Sequence, residues 1–86
     1  MCEPVETLAN MLSSVKSEQS VLIKEHPELD GLLVPLEIVV NQKYNEYLNL
    51  YNEGITSCAY LNYLFRKYRF AIDYFRSIMK EIRDQY

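Results

Sequence analysis

Apolar positions recur along most of the chain at spacings of three and four, the period of helices that pack through one face. Val5, Leu8, Leu12, Val15 and Leu22 form the first such stripe, with Gln19 at the position where an apolar residue is missing. Pro4 suits the start of a helix. His26-Pro27 ends the segment, because the residue before a proline is driven out of the helical region. The spacing therefore predicts a helix over about 4–25.

A short connection leads to a second helix over about 31–53, with Asp30 as its expected cap. Pro35 falls either in its first turn or at the first position of a later start. Leu33, Leu36, Val40, Tyr44, Tyr47 and Tyr51 share one arc at 100° per residue, while Asn41, Asn45, Asn49 and Asn52 lie opposite. Gly54 stops the helix, since glycine accepts the left-handed conformation that terminates helices. A third helix, capped by Thr56 or Ser57, is expected over about 56–85. Its main stripe is Leu61, Leu64, Tyr68, Ile72, Phe75, Met79, Ile82 and Tyr86. Tyr60, Tyr63, Phe70 and Tyr74 flank that stripe and widen the apolar face.

Short connections make neighbouring helices antiparallel. The expected fold is thus all-α: one domain, residues 1–86, forming a small up-down-up three-helix bundle with a long C-terminal helix. Its core should contain Leu8, Leu12, Val15, Leu36, Val40, Leu61, Leu64, Tyr68, Ile72 and Phe75. At about 1.5 Å per residue the third helix outruns the other two. Its last turns would leave an apolar patch, which self-association would cover. The interface candidates are Phe70, Tyr74, Ile78, Met79, Ile82 and Tyr86, and the expectation is a homodimer.

Charge changes this picture in one respect. The net charge of -3 hides an uneven distribution, with three cations against nine carboxylates up to residue 55 and six against three beyond it. Packed helices neutralising one another would explain this. A basic face for an anionic partner would explain it too, and Arg66, Arg69, Arg76, Lys80 and Arg83 line up as the candidate rail. The run Tyr63-Leu64-Phe65-Arg66-Lys67-Tyr68-Arg69-Phe70 mixes bases with aromatics, as surfaces that stack single-stranded nucleic acid do. On a helix these residues diverge, and the pI of about 5.0 is low for a dedicated DNA-binding domain. No stretch is apolar enough for membrane insertion, and the N-terminus lacks the basic and apolar regions of a secretory signal. The cytoplasm, with its two cysteines reduced, is the expected location.

Candidate chemistry is sparse. His26 stands alone at a turn, without the companions a metal site or a nucleophile–base pair needs. Cys2 and Cys58 begin helices at the same end of the bundle. Redox sensing through lowered thiol pKa values is conceivable, against Cys58 as a small buried hydrophobe. Glu37 lies on the margin of the second helix's apolar arc, where Arg69 or Arg76 is the expected partner. The eight tyrosines suit a half-buried bundle margin as well as an interface. No cofactor site and no catalytic residue is expected. The reading is a non-enzymatic protein-interaction module, of adaptor, inhibitor or immunity type, with an unidentified protein partner. The alternative is a nucleic-acid-associated regulator using the basic rail.

Overall fold

The sequence signals for helix starts and stops act close to where they stand. A computed structural model describes residues 2–54 and 57–85. It contains α1 (Val5–Glu25), a single 3-10 turn (Pro27–Leu29), α2 (Asp30–Glu53) and α3 (Cys58–Gln85). There is no strand among the described residues, and each helix end lies within two residues of its expected position.

The caps depart from expectation in two places. Asp30 was expected to cap α2, yet its backbone is already helical (φ -54°, ψ -48°) and its N–H donates to the Pro27 carbonyl. The 3-10 turn runs straight into the helix, so no separate cap is needed. The Asp30 carboxylate still lies in the first turn, where the helix dipole favours negative charge. Pro35 is consequently the sixth residue of α2 rather than its first. The hydrogen bond it cannot donate is one to the Gly31 carbonyl, near the helix start. At the start of α3, Ser57 Oγ accepts from the Tyr60 N–H at 3.3 Å. Thr56, the other cap candidate, lies outside the described residues.

Gly54 ends α2 as expected, at φ 70°, ψ 7°, with its N–H donating to Tyr51 at 3.2 Å. A Cβ there would meet no neighbour, so the conformation and not space selects glycine. Gly54→Ala should therefore lower stability by about 1 kcal/mol, the left-handed penalty of an L-residue, read as a lower urea midpoint at unchanged slope.

Cross-helix pairs fix how the elements lie. Tyr47 of α2 donates to the Glu3 carbonyl just before α1, and Gln19 of α1 donates to Glu37 near the start of α2 at 3.1 Å. Tyr68 and Arg76 of α3 reach Leu8 and Ser14 of α1. The molecule measures 45 × 18 × 17 Å, its long dimension close to the ~42 Å of a 28-residue helix.

One core runs the full length. Leu8, Val15 and Leu22 of α1 join Leu33, Val40 and Tyr47 of α2 and the α3 stripe from Leu61 to Ile82. Eight of the ten expected core residues are buried in it; Leu12 and Leu36 are half-buried and pack against its edge. The expected overhang does not exist. Met79 is 1% exposed and Ile82 9%, inside the same cluster as Leu22, Leu29 and Leu33. Tyr68 reaches Leu8 and Arg76 reaches Ser14, so Ile82 falls level with the end of α1 and joins Leu22 in the core. Ile78 is half-buried on the same cluster, and Tyr86 lies outside the described residues. The geometric motive for a dimer through these turns is removed.

Candidate functional site

Cys2 and Cys58 are joined in a disulfide, with Cα atoms 5.0 Å apart. Helices beginning at the same end bring them within the ~4.4–6.8 Å that a bridge requires. Neither is a free thiol, and Cys58 is exposed rather than a buried small hydrophobe. The bond ties the segment before α1 to the first residue of α3 and closes a long loop, its ends 56 positions apart.

The tyrosines divide between core and surface. Tyr47 and Tyr68 are fully buried, and each meets the demand that a buried hydroxyl find a partner by donating to a backbone carbonyl. Tyr68 reaches Leu8 at 2.6 Å. Burial raises the Tyr68 pKa, with the neighbouring Tyr44 adding to it; burial, Tyr51 and Glu3 raise that of Tyr47. Both phenols are held neutral in the folded chain. An unfolded tyrosine loses its proton near pH 10, so above that pH the unfolded chain binds fewer protons and stability must fall as pH rises. Urea midpoints at pH 8 and pH 11 should show the drop, and Tyr68→Phe should flatten it. An unchanged midpoint at pH 11 would contradict this burial.

The expected basic rail is interrupted. Arg76, half-buried, donates to Ser14 Oγ at 2.8 Å, and its Nε stands 3.5 Å from the Glu18 carboxylate. Arg69 pairs with Asp73 at 3.9 Å within α3. Lys80 and Arg83 are exposed near the end of the helix. Arg66 is exposed and lines the open face shared by α2 and α3. Glu37 finds neither arginine; its partner is Gln19, in a small cleft between α1 and α2. His26 stands 3.7 Å from Glu28, and among the described residues no group of three or more His, Cys, Asp or Glu gathers as a metal site.

What the molecule leaves open is a trough between α2 and α3, of about 650 Å³. Leu36, Val39 and Ala71 form its apolar floor and wall, while Tyr63, Phe70 and Tyr74 rise on the α3 side. Phe70 is 74% exposed and Tyr74 52%, large apolar areas to leave in water. Lys43, Arg66 and Lys67 stand on its lining, and no carboxylate does. Lys67 lies over the Tyr63 ring at 4.7 Å, and a hydrogen bond with Tyr63 raises the lysine pKa above its usual value. Glu46 offsets Lys43 through a 3.7 Å pair, leaving the edge net positive.

Two of the six interface candidates, Phe70 and Tyr74, thus fall on this open face, whereas Met79 and Ile82 belong to the core. A signal for the trough was present in the chain. Tyr60, Tyr63, Lys67, Phe70 and Tyr74 repeat at three, four, three, four, a second heptad stripe beside the core stripe. On α2, Leu32, Leu36, Val39 and Lys43 repeat at four, three, four. Set beside protein-family models, curated proteins and solved structures, the chain matches none of them.

Proposed function

We propose that this chain is a non-enzymatic protein-interaction module whose working face is the trough between α2 and α3. The observation that carries the reading is the exposed aromatic stripe centred on Phe70 and Tyr74. A monomeric helical protein this small has every reason to bury such side chains, and contiguous exposed apolar surface marks interaction sites. Tyrosine and arginine are also among the residue types that dominate binding energy at interfaces, and phenylalanine is enriched there. Adaptor, inhibitor and immunity roles all use such a face.

The homodimer expected from the C-terminal turns is left without support once Met79 and Ile82 are counted in the core. The nucleic-acid alternative is weakened for a similar reason: Arg76 and Arg69 are engaged within the chain, and phosphate binding needs a row of free cations. The cross-helix pairs support an up-down-up order of the helices, and residues of both α2 and α3 line the trough. As for location, no helix of the described residues is long and apolar enough to cross a membrane. The Cys2–Cys58 bond favours an oxidising compartment over the cytoplasm, since thiols are kept reduced in the cytosol.

A photo-cross-linking residue placed at position 70, and separately at the exposed position 13 of α1, tests the face. Incubated with an extract of the native host, the first should give a discrete adduct that excess unmodified chain competes away. The second should give none. Equal labelling from both positions, or no competable adduct from position 70, would remove the trough as the working face.

A further inference from the structure

We infer that the trough receives an amphipathic α-helix with acidic flanks from another protein, packed as a fourth helix against α2 and α3. The inference rests on the reading of the trough as the interaction face and adds the chemistry of what fills it. Heptad repetition is the pattern by which helices pack along one another, and here two adjacent helices present it outward, α3 from Tyr60 to Tyr74 and α2 from Leu32 to Lys43. The α3 stripe spans fifteen residues, about 21 Å or four turns from first to last, the length of a short helical ligand laid in a groove. A closed pocket for a small molecule would need walls on more sides than two side-by-side helices supply.

Charge selects among helices. Arg66 and Lys67 flank the trough, Lys43 shares its charge with Glu46, and no carboxylate lines it. Cations at the rim attract acidic flanks and repel basic ones. The same argument excludes a second copy docking face to face, because a symmetric pair would bring two sets of Arg66 and Lys67 together. Nor does α1 offer a suitable insert. Its exposed residues include Glu6, Asn10, Ser13, Ser17 and Lys24, with Val21 the one large apolar side chain among its exposed described residues, too little to fill the trough.

The test is a displayed library of 21-residue peptides with Leu or Ile at heptad positions a and d. Glu, Lys, Gln and Ala are randomised elsewhere, and the library is panned on the oxidised full-length chain. Selected peptides should carry Glu over Lys at least twofold beyond the starting ratio. Phe70→Ala with Tyr74→Ala should weaken them tenfold or more, as should Arg66→Glu with Lys67→Glu, both on chains whose melting matches the parent. Phe70→Tyr should restore binding, separating loss of the face from loss of fold. Binders that need Phe70 but show no Glu excess would overturn the acidic partner and leave the interaction face standing. Binders indifferent to Phe70 and Tyr74 would overturn both. No enriched helix, or Phe70-dependent binding to phosphatidylserine vesicles in place of peptides, would overturn the helical partner.

Discussion

Cys2→Ser with Cys58→Ser should lower the stability of the folded chain by about 4 kcal/mol. Constraining a loop with 56 positions between its ends removes, in the chain-entropy account, roughly 14 cal/mol/K from the unfolded state. A domain of 86 residues has a total margin of only about 4–13 kcal/mol at the usual 0.05–0.15 kcal/mol per residue. Losing the bond therefore removes a large share, and a melting point lower by on the order of 15–30 °C should follow. Reduction of the parent by dithiothreitol should reproduce the double variant. The bond does more than add stability, because Cys58 is the first residue of α3 and sits exposed. Without it the N-terminal segment keeps the Tyr47 contact at Glu3, the Thr7 N–H bond to the Pro4 carbonyl and partial burial against the core. Oxidised and reduced chains that melt together would contradict the pairing.

Two phenylalanines five residues apart on α3 should respond very unequally to truncation. Phe75 is 1% exposed in the middle of the core, so Phe75→Ala should cost about 3–5 kcal/mol in lost transfer energy and cavity. Phe70 contributes almost no burial, and Phe70→Ala should stay within about 0.5 kcal/mol of the parent, as surface changes do. Urea unfolding of both variants with the disulfide intact measures the contrast. If Phe70→Ala proved as costly as Phe75→Ala, the α3 face assigned to solvent would belong to the core.

Helix periods and stop signals were legible because they act locally. Gly54 needs only its own conformation, and His26-Pro27 only its own sterics. The α3 stripe from Leu61 to Phe75 was legible because seven-residue repetition on a long helix admits one buried face. Pairings between helices were less so. Glu37 was matched to an arginine on α3 when it faces Gln19 on α1, since one helix's period does not say which neighbour lies on which flank. The apparent overhang came from comparing helix lengths alone; the register that sets Tyr68 against Leu8 and Arg76 against Ser14, and so keeps Ile82 in the core, has no periodicity to reveal it. The disulfide was within reach, because the two cysteines were seen to start helices at one end. Reduced thiols were expected on an assumed cytoplasmic location, and that assumption overrode the geometry. As for the trough, its second heptad stripe was visible only as a set of flanking aromatics, with Lys67 masking the regular spacing.

Backbone amide mapping by nuclear magnetic resonance, on the isotopically labelled oxidised chain titrated with the tightest selected acidic helix, tests the central claim most directly. The trough as working face predicts shift changes gathered at Val39, Lys43, Tyr63, Lys67, Phe70 and Tyr74, with the outer face of α1 around Ser13 and Ser17 unmoved. Changes centred on α1, or on Lys80 and Arg83 at the end of α3, would contradict it.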